Sequence, residues 1–374
     1  MRTRAASVSV LLLLGLGCST VPKPVWLSGI SVRVSRPFFV VSRPATVGEY
    51  PLLHVLPDGR LFVHSAIADR VSDDRGVTWR PVQPGESVWT GLTSSQDDVA
   101  YRPTDPARLE GSNVVFLANL IRGGKIAESD VLVPVYGVPP LASAGVMLGN
   151  ENIPAMQFWP MWHGVRMPGG EFLVTAFTRF EGDKKTRCII LRSDDQGRTL
   201  RYLATVATTT EAPWGGEGPN ESALALLPSG DLLCVMRTGY ELSKASSWWS
   251  QPMLQARSRD GGATWEDHRA MSVRGVNPML AVLPNGVIAC TAGRPGNNIV
   301  FSTDNGRSWS GEVMLAEPDL ASTGYMDLAP VGTNRLLVIY PRENMYPKKI
   351  WLWEPPEPVD AVVGVFIDVR KRGE

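Results

Sequence analysis

Glu221, Arg237, Arg294 and Tyr325 lie far apart in the chain, yet their types suit one another. A carboxylate accepts a proton, a phenol gives one up, and a guanidinium presents a rigid donor fork to a carboxylate. Each alone would serve equally in a structural ion pair or on the surface; the four on one rim make a functional pocket. The other chemistry-bearing residues offer less. His54, His64, His163 and His268 have no nucleophile partner in the sequence and receive no role. Cys188, Cys234 and Cys290 sit in apolar, strand-like runs, with no close-spaced pair among them. Buried thiols are expected there rather than disulfides or a metal site. The four scattered histidines form no zinc constellation, and nothing in the sequence requires a metal or an organic cofactor.

What brings the four together is a repeat: an apolar strand, a Pro-X-Gly turn and a second apolar strand. It occurs at Leu56-Pro57-Asp58-Gly59, Met167-Pro168-Gly169-Gly170, Leu227-Pro228-Ser229-Gly230 and Leu283-Pro284-Asn285-Gly286, and in altered form at Val331-Gly332-Thr333-Asn334. Turn residues between aliphatic runs make tight hairpins. The run Asp130–Tyr136, after Gly123-Gly124, supplies a sixth. If every turn lies at one end of its hairpin, the strand starts and strand ends meet at the other. The starts are Glu49-Tyr50-Pro51, Asn220-Glu221-Ser222, Asn277-Pro278 and Tyr325-Met326-Asp327; the ends include His64, Arg179, Arg237, Arg294 and Tyr340-Pro341.

A second motif follows the hairpins. Ser72–Trp79, Ser258–Trp265 and, with Ser308 for Thr, Ser302–Trp309 read Ser-X-Asp-X-Gly-X-Thr-Trp, and Ser193–Leu200 differs only in its last residue. This is the Asp box. Its carboxylate accepts backbone N–H groups in a tight turn, its Gly allows positive φ and its Trp wedges into the blade. Asp74, Asp195, Asp260 and Asp304 are therefore turn-makers, not catalysts. Together the motifs predict an all-β fold, a six-bladed β-propeller of four-stranded antiparallel blades. Residues 19–374 would form this single domain, with Ile30–Val41 and Val362–Val369 closing the ring. Residues 82–128 fit least well, as an irregular second blade or an insertion.

The 374 residues suggest two domains by length alone, although closed all-β folds use this much as one. Thirty-seven basic and thirty-seven acidic residues leave no field of one sign to draw in nucleic acid or an anionic membrane. Residues 1–18 read as an export signal, with Arg2 and Arg4 before an apolar run from Val8 to Leu16 that is too short to span a bilayer. Leu14-Gly15-Leu16-Gly17-Cys18 resembles a bacterial lipobox, with Gly15 where Leu is usual. Lipidation of Cys18 and ordinary cleavage both stay open; either places the protein in the cell envelope or outside, and a monomer is expected.

At the four site residues the chain resembles the bacterial sialidase family, over roughly residues 45–345. Asn220-Glu221 with Val235-Met236-Arg237 is similar to the segment carrying that family's catalytic glutamate and second arginine. Gly293-Arg294-Pro295-Gly296 resembles the third-arginine segment, and Thr323-Gly324-Tyr325-Met326-Asp327-Leu328 the segment of the nucleophilic tyrosine. The resemblance implies Tyr325 as nucleophile, Glu221 as its base, and Arg237 and Arg294 as clamps for an acidic sugar. Sialic acid carries a carboxylate on its anomeric carbon, which would repel an Asp or Glu nucleophile, and a phenol avoids that. Two departures stand out. Glu49 occupies the first arginine's place in Gly48-Glu49-Tyr50-Pro51, and Tyr340-Pro341 replaces the Tyr-Glu that steadies that arginine. The loop that bears the family's acid/base aspartate is cut to Ala66-Ile67-Ala68-Asp69, leaving Asp69 as the candidate, with Asp97 and Asp98 beyond it. Trp248-Trp249 offers a flat face to a sugar, whereas Trp159 and Trp162 suit packing between blades.

Two functions follow from different classes. One is an exported, exo-acting, retaining glycoside hydrolase of sialidase type, acting on an acidic or related sugar terminus. The other is a non-catalytic propeller that binds glycans or a protein partner at the envelope. The position of the Tyr325 hydroxyl separates them: within reach of Glu221 for a hydrolase, or buried in blade packing for a binder.

Overall fold

The computed structural model describes residues 25–27, 29–35, 39–42, 51–56, 58–65, 69–83, 99–103, 108–110, 113–122, 125–142, 146–148, 151–153, 158–239, 251–294, 296–316, 324–342 and 361–372. Outside them lie the export segment with Cys18, Glu49, residues 66–68, Asp97, Asp98, Trp248 and Trp249, as does the side chain of Trp162.

The chain opens with β1 (Val25–Leu27), β2 (Ile30–Val34) and β3 (Phe39–Ser42). The first blade is β4 (Leu52–Val55), β5 (Leu61–His64), β6 (Arg70–Ser72) and β7 (Arg80–Pro81). Then come β8 (Val99–Pro103), β9 (Arg108–Glu110), β10 (Asn113–Arg122), β11 (Lys125–Tyr136), β12 (Val146–Leu148) and β13 (Glu151–Ile153). The second blade is β14 (Phe158–Arg166), β15 (Phe172–Thr178), β16 (Arg187–Ser193) and β17 (Leu200–Ala207). The third is β18 (Ser222–Leu226), β19 (Leu232–Met236), β20 (Pro252–Ser258) and β21 (Glu266–Arg274). The fourth is β22 (Leu280–Val282), β23 (Ile288–Gly293), β24 (Asn297–Ser302) and β25 (Ser310–Ala316). In the last, β26 (Asp327–Gly332), β27 (Arg335–Arg342) and β28 (Ala361–Lys371) are completed by β2, which pairs antiparallel with β28 from Ile30↔Lys371 to Val34↔Ile367. The N-terminal strand thus closes the ring, as the alternation in both terminal segments implies.

The propeller is all-β with four-stranded antiparallel blades, but the described residues form five blades, not six. The expected hairpin does form, as β10 and β11, yet it takes no place at the axis. β11 instead pairs in parallel with β17, through Val135↔Leu200 and Tyr136↔Arg201, and extends the second blade outward. Val133 and Val135 join the apolar face made by Phe158, Phe172, Val174, Ile189 and Leu191. The physical reason is legible in the segment. A blade needs an outer hairpin as well as an inner one, and residues 82–157 contain no Ser-X-Asp-X-Gly turn to make it. The inner strands β4, β14, β18, β22 and β26 therefore line the axis, and the His54 and His163 rings, 6.4 Å apart, join the first blade to the second.

The cores lie between blades. Val235, Met253 and Met271 of the third pack on Cys290, Ala292 and Val300 of the fourth. Such middle strands are apolar on both faces: all five positions of β19 are buried, whereas the outermost β21 alternates with solvent. The four Ser-X-Asp-X-Gly turns share one geometry. In the first, Asp74 accepts the Thr78 N–H at 2.8 Å and the Thr78 hydroxyl at 2.6 Å, while Ser72 accepts the Gly76 N–H at 2.7 Å. Gly76 has φ +92°, and a Cβ there would meet Leu337 at 2.9 Å, so both conformation and packing demand glycine. Cys188, Cys234 and Cys290 are buried free thiols.

Candidate active site

The hairpin turns sit at one end of the ring. The Gly59, Gly170, Gly230 and Gly286 N–H groups each close onto the carbonyl three residues earlier. Glu221 directly precedes β18, Arg237 directly follows β19, Arg294 follows β23 and Tyr325 precedes β26 by two residues. All four thus stand at the opposite end, and their side chains meet.

Tyr325 donates its hydroxyl proton to Glu221 Oε1 across 2.6 Å. Arg237 donates to the same Oε1 at 3.0 Å, and its other terminal nitrogen lies 3.0 Å from Glu217. The second oxygen of Glu221 accepts the Asn277 N–H at 2.9 Å. Asn277 reaches this pose with φ +42°, and its Oδ1 is buried without a hydrogen-bond partner. Arg294, at φ +50°, lies 5.2 Å from the Tyr325 ring centre, a cation–π contact. The turn bearing Arg294 and the segment bearing Tyr325 are pressed together at two glycines: a Cβ on Gly293 would come within 2.0 Å of the Gly324 carbonyl oxygen. Glu221, Arg237 and Tyr325 are 7%, 3% and 8% exposed, so the cluster is almost dry.

Burial alone would push the Glu221 carboxyl up, but Arg237, the Tyr325 hydroxyl and Arg294 outweigh it and hold it below the usual range. Glu221 is therefore ionised at neutral pH, with the phenol as one of its proton donors. That is the state a base needs before it takes a proton.

Glu221, Arg237, Arg294 and Tyr325 come together as their spacing predicts, and Glu217, which no motif marks, joins them. This residue sits in the irregular loop Gly215-Gly216-Glu217-Gly218-Pro219-Asn220, where no strand period points to it. It is 2% exposed and accepts the Asn220 side-chain N–H at 2.9 Å. A Cβ on Gly239 would stand 2.5 Å from its side chain, so glycine makes room for the carboxylate. The clamp role expected of Arg237 changes accordingly: both its terminal nitrogens are directed at carboxylates of the protein. Arg179, at another strand end, donates to the Asp183 carbonyl at 2.8 Å.

Asp69 pairs with His64 Nδ1 at 2.7 Å on the first blade's rim, a partnership the sequence does not announce. Asp327 is 1% exposed and ties three blades together. It accepts the Leu53 N–H at 2.7 Å and lies 3.2 Å from His163 Nε2, beside His54, which burial first and His163 second keep well below the ordinary imidazole value. Below it a cavity of about 480 Å³ runs along the axis to Pro228, Pro284 and Pro330 at the turn end. None of Glu221, Arg237, Arg294 and Tyr325 lines it. Among the described residues no group of three His, Cys, Asp or Glu side chains is placed to hold a metal ion.

The fold is that of a divergent sialidase-like propeller. A sialidase of Vibrio cholerae is 21% identical over 303 residues, covering 69% of this chain and 38% of the relative, so the chain spans well under half of that protein. A Hadza microbial sialidase superposes with TM-score 0.53 and 15% identity, over 90% of this chain and 68% of its own. A Penicillium chrysogenum α-L-arabinanase, solved with arabinobiose, gives 0.55 and 15%, over 93% and 99%. No protein-family model matches the sequence.

Proposed function

We propose that this propeller is a retaining, exo-acting glycoside hydrolase with Tyr325 as nucleophile and Glu221 as its base. The observation that carries the reading is the 2.6 Å hydrogen bond between phenol and carboxylate in a nearly dry cluster. Glu221, held ionised by Arg237, takes the phenolic proton as the Tyr325 oxygen attacks the anomeric carbon. The new C–O bond displaces the aglycone, whose oxygen must receive a proton; Asp69, bonded to His64, is the candidate donor. Water then attacks the glycosyl-tyrosine, giving a proton to the Asp69 carboxylate as its oxygen bonds to the anomeric carbon, and the phenol leaves with the proton that Glu221 returns. Substitution at the same carbon twice retains its configuration. The similar proteins with sialidase and arabinanase activities make a glycosidic substrate the natural expectation. Residues 1–18 are read as an export signal, with Cys18 as a lipidation site or ordinary cleavage beside it.

The test is turnover of a panel of aryl glycosides by wild type and Tyr325→Phe. The variant should lose at least about 10³-fold in kcat, since covalent catalysis is removed. Its melting temperature should be nearly unchanged, because the ring is kept. Equal turnover by both proteins overturns the nucleophile assignment. Binding of glycans by wild type without turnover of any would favour the binding propeller instead.

A further inference from the structure

We infer that the site takes neutral, hydroxyl-bearing glycosides rather than sugars with a carboxylate on the anomeric carbon. This rests on the glycosidase reading above and names its substrate class. The positive charge of the site is already spent within the protein. Arg237 gives one terminal nitrogen to Glu221 and the other to Glu217, each at 3.0 Å, and is 3% exposed. It neutralises the protein's own carboxylates and has no terminal fork to turn toward a ligand. Among the described residues, Arg237 pairs with two carboxylates, Glu217 and Glu221, while Arg294 stands over the Tyr325 ring and lowers Glu221 from there. Those two carboxylates thus face two guanidiniums before any substrate arrives. A substrate carboxylate would add an anion beside two others in a dry site, and an added buried charge without a partner is strongly disfavoured.

Among the described residues the strand ends of the other blades supply no substitute. Arg179 is committed to the Asp183 carbonyl, and the last blade offers Pro341. Arg342, the final residue of β27, shares the strand face of Tyr340, whose hydroxyl reaches the Leu315 carbonyl in the outer part of the fourth blade, away from the axis. On the first blade the sequence has Glu49 at the strand start, outside the described residues. The unspent hydrogen-bonding capacity points the same way. Asn277 Oδ1 is a buried acceptor without a partner, on the residue whose N–H binds Glu221. An acceptor calls for a donor. A sugar hydroxyl is one, whereas an ionised carboxylate has no proton to give.

The test compares kcat/KM of wild type, Tyr325→Phe and Glu217→Gln on aryl glycosides of neutral pentoses and hexoses, in furanose and pyranose forms, with an aryl α-sialoside and an aryl glucuronide. Wild type should favour its best neutral substrate over both acidic ones by at least about 100-fold, the scale set by a buried unpaired charge. Glu217→Gln frees one end of Arg237 and should narrow that ratio about tenfold. Should that variant fail to fold, inhibition of wild type serves the same end: a neutral iminosugar should compete with substrate well below the concentration at which a sialic acid glycal does. Preference for the sialoside or glucuronide, still lost in Tyr325→Phe, would overturn this inference and leave the glycosidase reading intact. Turnover of neither class, or turnover indifferent to Tyr325, would overturn both.

Discussion

Glu221 and Arg237 form one functional unit, in which the cation sets the protonation of the base. Burial raises the carboxyl while Arg237, the Tyr325 hydroxyl and Arg294 together outweigh it, so replacing Arg237 with Ala removes the largest lowering influence. The acidic limb of the kcat/KM–pH profile reports protonation of the free enzyme's base. In wild type it should lie below the ordinary glutamate range, and in Arg237→Ala it should move up. An unmoved limb would separate Arg237 from the base. A second prediction concerns backbone. Gly293→Ala puts a methyl 2.0 Å from the Gly324 carbonyl, so the segment bearing Tyr325 must shift. Activity should fall at least about tenfold, since small misplacements of reacting groups are costly, and the loss should appear in kcat more than in KM. These contacts were readable in the sequence only in part. The hairpin repeat placed Glu221, Arg237, Arg294 and Tyr325 on one rim because β-period and turn chemistry are local. Glu217 and the pose of Asn277 belong to irregular loops, where no period exists to be read.

At the scale of the element, the Ser-X-Asp-X-Gly turns carry their own pH dependence. In the last of them, Asp304 is opposed by partial burial but held low by hydrogen bonds from Ser308 and Ser302, and Asp74, Asp195 and Asp260 are likewise lowered. A carboxyl whose folded value is depressed adds stability above its unfolded value, near 4, and loses it as pH falls through the folded one. Thermal melts should therefore fall progressively as pH drops below about 5. Asp304→Ala should cost about 1–3 kcal/mol at pH 7, from the hydrogen bonds it loses, and less as pH falls below about 4. A cost independent of pH would show that the carboxylate charge is not what holds the turn. The four turns were recognisable from spacing alone because each is complete within eight residues. The β10–β11 hairpin was equally recognisable as a hairpin, but its partner was not. Pairing with β17 rather than with a blade of its own is decided by a distant strand edge, and local sequence does not record it.

For the whole molecule, closure is the property on which the site depends. Tyr325 and Glu221 come from blades five and three, so their 2.6 Å contact exists only while the ring is shut. Two devices shut it. β2 completes the fifth blade, with Ile30, Val32 and Val34 buried at 8% exposure or less, and Asp327 links β26 to Leu53 of β4 and to His163 of β14. Removing residues through 35 takes away three buried aliphatic side chains, each worth about 1.5–3 kcal/mol, and bares the β28 edge they pair with. The truncated chain should unfold without cooperativity, or melt well below the full chain. Asp327→Asn keeps the shape but weakens an acceptor for the Leu53 N–H and the tie to His163. It should lower kcat with little change in KM, because it acts on the site through the ring. The closing strand pair was legible, since both terminal segments alternate; the number of blades was not, because one hairpin moved from axis to edge.

The central claim is that the Tyr325 oxygen attacks the anomeric carbon. It is tested most directly by trapping wild type with an activated 2-deoxy-2-fluoro glycoside of whichever sugar it turns over, and mapping the adduct by peptide mass spectrometry. A glycosyl group should appear on Tyr325 and be absent in Tyr325→Phe. An adduct on Glu221 or Glu217, or full turnover through no covalent adduct, would contradict it.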